Sequence, residues 1–573
     1  MSEIKKSFEI VLAARGLCKT YPDTQSHGVI KALDHLDLTV REGEILGILG
    51  PNGAGKTTFL NTLATLLLPD EGEIEIFGIK SIPKNFNAVR SWINMSSGYP
   101  NYAFSLTVEE NLKFYGRLYG LRGASLQRKV DEVTGLFELQ SYARRRFDEL
   151  SSGTKQRLSL AKSLINDPKI LFLDEPTIGL DPDVSLKTRE IVLEILRKRR
   201  MTVLLTSHNM AEVESMCARV AFIQKGRIIK LAAVDELKRL HQTDDLEQIF
   251  IQLAHQSEVD PISVSSGGSE LLLRSGRQLS KSPIKGNPFL AADRVAFRQE
   301  EHLNSKAEPG PDDMLSWLNR VYAFTIRSAI FACRNLFVMT DVFFWPMISL
   351  LSIGLMAKFV KLGPATLGFV MTGTLAAGVL QIAQLDVGYT VLYELWSKSF
   401  KHTLLTPVGV SEGVAGTWIV GMVRGFIAFV LLSCAAVWGF GFHLPDLLTT
   451  ALFLFGLFAC AFILGILVNI LILSFGQKVE ITAWMFAQLF MIICGIYYPV
   501  DILPKVFQSL GLMVPITHFL EFFRQSYGFK AHSPHPLLFG FGLALLYIIL
   551  SLRLLGHAYT RARKKGIIIR LSE

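Results

Sequence analysis

The sequence predicts an α/β domain over about residues 1–256, a polar linker at 257–312, and an all-α six-span transmembrane domain over 313–573. Three observations carry this prediction. Charge is unevenly divided, with 41 Lys+Arg and 40 Asp+Glu in residues 1–312 but only 18 and 10 in 313–573. A short apolar run, ILGIL, leads straight into a glycine-rich loop and then a helix-start pattern. Beyond residue 340 come six stretches of roughly 20 mostly apolar residues, each enough to cross ~30 Å of hydrocarbon. A single soluble enzyme, a disordered chain and a small secreted module are excluded.

Of the formal charge of +9, +8 belongs to the second part. It flanks apolar segments and ends in the basic 561–565 run, which suits anionic lipid headgroups and gives no support to a nucleic-acid partner. The six cysteines form no C-x-x-C pair, so neither a disulfide framework nor a zinc site is expected. Residues 1–9 carry Glu3, Lys5, Lys6 and Glu9 with no apolar core, so no signal peptide is expected and the first domain should lie in the cytosol.

Residues 44–58, EILGILGPNGAGKTT, match the phosphate-binding pattern G-x-x-x-x-G-K-[ST] through Gly50, Gly55, Lys56 and Thr57, with Gly53 between. Glycines let backbone N–H groups converge on phosphate oxygens, and the helix N-terminus adds positive potential. Lys56 would reach the terminal phosphates and Thr57 would offer its hydroxyl to Mg²⁺; Asn52 and Thr58 complete the candidate nucleotide ligands. The run ILFLDEP, 170–176, reads as a buried parallel strand presenting Asp174 and Glu175 at its carboxyl end, where ligands sit in open α/β sheets. Asp174 is then the second candidate Mg²⁺ ligand and Glu175 the candidate base for an attacking water. The first domain is therefore expected to be an α/β P-loop ATPase using ATP and Mg²⁺.

Three further motifs follow in order: LSSGTKQR at 150–157, IGLDP at 178–182 and LLTSH at 204–208. With them, residues 8–256 resemble the nucleotide-binding domain of ATP-binding cassette (ABC) transporters. The resemblance implies that Ser151 and Gly153 contact the γ-phosphate of ATP held by an opposite subunit. It makes Asp181 the D-loop aspartate, His208 a catalytic switch sensing the γ-phosphate, and Tyr21 the aromatic that stacks on adenine. Ser152 and Thr154 replace the family's usual Gly and Gln in the signature. Gly98 stands where the family expects a Q-loop glutamine, and no glutamine occurs between residues 26 and 126. The Gly98 segment is expected to contact the membrane domain even so, with water or Asn101 taking the glutamine's place.

The expected spans are 341–362, 365–387, 414–440, 447–474, 482–500 and 536–556, an even number that puts both termini on one side. Twelve Lys and Arg fall on the side of the ATPase and five on the other, so the positive-inside rule agrees with cytoplasmic N- and C-termini. Residues 314–335 read as an interfacial helix, the 392–413 loop as the coupling element that docks on the ATPase, and 501–530 as a re-entrant or interfacial segment. Arg424 is expected either to line a pathway for an anionic substrate or to snorkel to the inner headgroups, as the one charge that could sit deep.

With LLTPVGVSEG at 404–413 before the third span and the proline-interrupted segment 497–525, which carries P-x-x-x-L-P, P-I-T-H and E-F-F-R, the second part resembles in order and spacing the type-2 ABC exporter permeases. The resemblance implies a half-transporter of the cell (inner or plasma) membrane, working as a homodimer or with a paralogue. It would export a lipid, polysaccharide, drug or ion, the substrate itself being unknown. An importer or a non-transporting membrane sensor is the alternative, and a soluble ABC ATPase acting on ribosomes or DNA a more distant one.

Overall fold

The computed structural model describes residues 10–22, 28–98, 100–178, 182–207, 209–243, 245–259, 314–476 and 488–570. The helix Leu246–Val259 runs three residues into the expected linker, and the rest of that linker, 260–312, lies outside the described residues, as do Asp181 and His208.

Among the described residues, ten strands form two sheets in the first domain. β1 (Ile10–Pro22), β2 (Val29–Arg41), β4 (Glu71–Ile76) and β5 (Ile79–Lys80) make an antiparallel sheet in the order β2-β1-β4-β5. β3 (Ile45–Leu49), β6 (Ile93–Ser97), β7 (Ile170–Asp174), β8 (Thr202–Thr206), β9 (Arg219–Gln224) and β10 (Arg227–Ala233) make the second, ordered β10-β9-β3-β8-β7-β6. All pairs in that sheet are parallel except β9 with β10.

The parallel strands are covered on both faces, which explains their unbroken apolar runs. Ile170, Leu171, Phe172 and Leu173 are each at most 2% exposed, and side chains so buried contribute about 1.5–3 kcal/mol each. The register is what matters for function. Ser97 pairs with Asp174, Asp174 with Thr206, and Thr206 with Ile48, so four carboxyl ends line up along one edge of the sheet.

Five described helices in the second part are long and apolar enough to cross a membrane: Leu336–Phe359, Pro364–Trp396, Val410–Phe440, Leu447–Phe475 and Pro536–Lys564. A sixth element, Lys505–Leu512 with Pro515–Tyr527, is bent by 88°. It breaks at Met513–Val514–Pro515, where a proline starts the second piece and the missing N–H ends the first helix. The expected span at 482–500 lies partly outside the described residues; within them, 488–493 are helical.

Local chemistry sets the helix ends. Gly363 and Pro364 open the second long helix, and Asp446 caps the Leu447–Phe475 helix by accepting from Thr449 N at 3.0 Å. Phe359, Trp438 and Leu447 are each more than 80% exposed, a belt of apolar surface suited to lipid. The second helix runs 33 residues to Trp396, nine beyond the expected end of its span, and so carries its last turns into the ATPase domain.

Candidate functional site

The aligned strand ends bring the two phosphate motifs together. β3 delivers residues 50–55 to the helix Lys56–Leu63, which starts behind Gly55 at φ 106, a conformation that favours glycine. A β-carbon on Gly55 would lie 2.3 Å from the Ala32 carbonyl oxygen, and one on Gly50 2.3 Å from that of Ile223. The loop therefore fits only without those side chains.

Lys56 is buried, and its Nζ donates to the carbonyls of Gly50 at 2.7 Å and Pro51 at 3.1 Å. Burial lowers its pKa, while the charges of Glu175 and Asp174 pull it back up, so the two motifs share one electrostatic field. Thr206, one strand over, donates its hydroxyl to Asp174 Oδ1 at 2.7 Å and accepts from Glu175 N at 3.2 Å. Glu175 sits at φ 53, a left-handed conformation uncommon for a side-chain-bearing residue and often found where a strand end presents a functional group. The buried Glu212 accepts from Thr177 and Ser207, tying the loop after β7 to the end of β8. Thr206 lies within LLTSH, where the motif points only to His208, and Glu212 belongs to no motif; only the folded structure reveals what the two side chains hold.

These residues fit a magnesium–triphosphate group: a backbone cradle too tight for β-carbons, one buried cation, and one oriented carboxylate. Thr57 and Asp174 would hold the metal ion, which would neutralise phosphate charge when bound. Asn52, Gly53 and Thr58 lie on the same loop and helix start; Gly53 has φ 79 and open space around it.

Ser151 caps the helix Ser152–Ser163, accepting from Thr154 N at 3.3 Å, while the two hydroxyls lie 2.9 Å apart. Thr154 is turned inward and only 2% exposed, so it replaces glutamine as a structural partner of the cap. Ser151 and Gly153 stay at the surface end of that helix, and Gln156 clamps the helix to the Pro176 carbonyl at 2.7 Å. Tyr21, the second-last residue of β1, pairs with Ile30 and lies 5.9 Å from Lys19 Nζ, measured to the ring centroid.

The membrane domain meets this site through a short helix, Phe400–Leu404, inside the expected coupling loop. Lys401 Nζ donates to Ser97 Oγ at 2.8 Å, on the strand end beside Asp174. His402 is fully buried, 4.6 Å from the Tyr102 ring, and burial plus Lys162 and Lys401 hold its pKa well below the usual histidine value. Ser105 and Tyr393 share a hydrogen bond of 2.7 Å, and Arg334 forks onto Glu110 at 2.7 and 2.8 Å. The segment after Gly98 thus contacts the membrane domain as expected. Its glycine is there for space: a β-carbon at Gly98 would come 2.7 Å from the Glu175 carbonyl oxygen and 2.6 Å from Ile178.

Neither expectation for Arg424 holds. Its guanidinium is buried against Asp386 and donates to the Val338 carbonyl at 2.6 Å, so the cation is neutralised inside the bundle. Nor is it the one deep charge, because Asp386 and Asp341 are also buried beside it. The sequence reading stopped the second span at residue 387 and overlooked Asp386 within it.

Fold and site together define a P-loop nucleotide-binding cassette joined to a helical membrane domain. Family models match both halves, "ABC transporter" at residues 33–178 and "ABC-2 type transporter" at 319–527. The ATP-binding protein NatA of Bacillus subtilis strain 168 is 35% identical over 223 residues, 39% of this chain and 90% of NatA. The daunorubicin resistance ATP-binding protein DrrA3 of Streptomyces coeruleorubidus is 39% identical over 280 residues, 49% of this chain and 87% of that protein. A probable multidrug ABC transporter ATP-binding protein, YbhF of Escherichia coli K12, is 39% identical over 254 residues, 43% of this chain; the match spans 42% of YbhF's own length. The chain belongs to the ABC transporter family, with an ATP-binding cassette and a multi-pass ABC-2 membrane domain in one polypeptide.

Proposed function

We propose that this chain is a half-transporter that uses ATP hydrolysis to export a lipophilic or amphiphilic substrate as a dimer. The observation that carries the reading is the joint itself. The Phe400–Leu404 helix of the membrane domain is hydrogen-bonded through Lys401 to Ser97, the strand-pair neighbour of Asp174. A change of shape at the phosphate site therefore has a short, packed route into the bundle.

Lys56 and the loop N–H groups bind the phosphates, Thr57 and Asp174 hold Mg²⁺, and Glu175 orients and deprotonates the attacking water. Ser151 and Gly153, at a helix N-terminus, face the nucleotide of a second copy, with Asp181 and His208 closing the shared site; one chain alone cannot complete it. Helix ends at Trp396, Val410 and Lys564 lie toward the ATPase domain, which with the basic flanks supports cytoplasmic termini.

The lining of a cavity in the membrane domain supports this substrate class. A cavity of about 450 Å³ between the Leu447–Phe475 helix, the bent element and the last span is lined by Cys460, Leu464, Phe490, Met513, Tyr547 and Leu550, among others. Such a lining suits an apolar ring system or acyl chain over a polysaccharide or an ion. The names of the relatives, multidrug and daunorubicin resistance, point the same way.

The test is the purified chain reconstituted in inside-out proteoliposomes with daunorubicin and a fluorescent phospholipid as probes. ATP-dependent accumulation of either, abolished by Glu175→Gln while ATP binding persists, is the expected result. Full ATP turnover by Glu175→Gln would remove Glu175 as the base, and accumulation of sodium ions alone would overturn the substrate class.

A further inference from the structure

The last span ends against the nucleotide domain at a second place, remote in sequence from the coupling helix. Lys19, 1% exposed, is held by Asp70 at 2.8 Å and donates a second hydrogen bond to the Lys564 carbonyl at 2.6 Å. Asp70 in turn accepts from Thr20 N and Oγ1 at 2.8 and 2.9 Å, so the end of β1 is locked from both sides. The Arg563 guanidinium lies 5.4 Å from the Phe86 ring centroid, and Ile567 packs on the hydrophobic core shared by the two domains.

Between these anchors Gly566 turns the chain at φ 68. A β-carbon there would lie 2.9 Å from Tyr21 Cε1, 3.6 Å from its hydroxyl oxygen and 3.5 Å from Leu67. The backbone therefore lies directly on the edge of the Tyr21 ring. A glycine is required on two independent grounds, the left-handed conformation and the absence of space.

We infer that the segment 563–567 is a positioning element for Tyr21, so that the inner end of the last span sets the aromatic ring on which the purine of bound nucleotide stacks. The inference rests on the reading of Tyr21 as the base-stacking residue. Its consequence is specific: disturbing the segment changes affinity for the base and leaves phosphate binding and chemistry alone. Movement of the last span would then alter ATP affinity from the side opposite the coupling helix.

The experiment uses the full chain in lipid nanodiscs. KM and kcat for ATP, and the Ki of inorganic tripolyphosphate against ATP hydrolysis, are measured for the parent, Gly566→Ala, Tyr21→Ala and the double variant. Gly566→Ala is expected to raise KM about three- to ten-fold, the range of one aromatic contact. It should leave kcat and the tripolyphosphate Ki unchanged, and add nothing further in the Tyr21→Ala background. Lys19→Met, which removes the Lys564 anchor while Asp70 keeps its Thr20 hydrogen bonds, should shift KM in the same direction and covers the case in which Gly566→Ala does not fold.

Equal weakening of tripolyphosphate, a fall in kcat at constant KM, or simple additivity with Tyr21→Ala would overturn the proposal. Should Tyr21→Ala raise KM while Gly566→Ala and Lys19→Met do nothing, the segment loses its role and the base-stacking reading survives. Should Tyr21→Ala itself leave KM unchanged, both fall together.

Discussion

The joint between the two domains turns on one buried ion pair. Arg327, on the Met314–Arg334 helix, and Glu394, near the end of the second long helix, are each 2% exposed and paired through Arg327 Nη1. Glu394 also accepts from Ser399 at 2.6 Å, the residue that precedes the coupling helix, and from Thr403 at 3.0 Å, near that helix's end. Arg327 is boxed by the rings of Phe114, Phe324 and Tyr393 at 4.8, 4.8 and 5.1 Å, the first from the ATPase domain. Arg327→Met leaves a buried carboxylate with two hydroxyls and no cation, and breaking one side of such a pair costs about 3–5 kcal/mol. The loss falls on residues 397–406, whose anchor is Glu394. At about 1.4 kcal/mol per tenfold, local opening of that segment should rise by roughly 10²- to 10³-fold. Amide hydrogen exchange by mass spectrometry reads this directly, since the His402 and Thr403 amides are bonded within the segment, to Ser399 O at 2.9 and 3.3 Å. Arg327→Met with Glu394→Met removes both charges and should recover much of the protection, leaving a coupling energy on the order of 1–3 kcal/mol. If the effects of the two single variants simply add in the double, the pair is not the anchor and the reasoning fails.

Three other outcomes follow from the same contacts. Arg424→Met alone should destabilise the membrane domain by about 3–5 kcal/mol by stranding Asp386, while Arg424→Met with Asp386→Leu should lie close to the parent in detergent melting; two equally damaging results would refute the buried pair. Gly98→Gln, far from restoring a Q-loop, should reduce ATP turnover at least about tenfold because its β-carbon meets the Glu175 carbonyl, and unchanged turnover would show that the loop relaxes freely. Burial and then the Lys401 charge push the Lys162 pKa down to about 7, below its unfolded value, so between that pH and about 10 the unfolded chain binds the extra proton and this contribution to stability rises with pH. The melting temperature of the parent should therefore climb relative to Lys162→Met from pH 6.5 to pH 8.5, and parallel curves would contradict it.

What could be read from the sequence was whatever depends on neighbours along the chain. The loop from Gly50 to Thr57, the strand carrying Asp174 and the apolar stretches of the five described long helices are local patterns, and each reappears close to where its spacing put it. Thr206, Asp386 and Glu394 were invisible for a different reason. Thr206 matters because β8 inserts between β3 and β7 in space, an order no linear motif records. Asp386 and Glu394 lie in a helix whose apolar stretch hides two acids, each neutralised by an arginine from another helix. A charge that is unacceptable to a span in isolation becomes ordinary once its partner is found, and partners across the bundle are a property of packing.

The unusual glycine at 98 makes sense in this light. A glutamine reaching from strand β6 toward the metal would need room that the Glu175 carbonyl and Ile178 occupy. Contact between the phosphate site and the permease runs instead through Ser97, whose hydroxyl is met by a lysine from the membrane domain itself. Lys401→Ala should therefore uncouple ATP turnover from transport where Lys401→Arg, which can still donate to Ser97, retains it. Transport and ATPase measured on the same proteoliposomes check this, and a Lys401→Ala protein that transports normally would return the coupling role to some other contact of the joint.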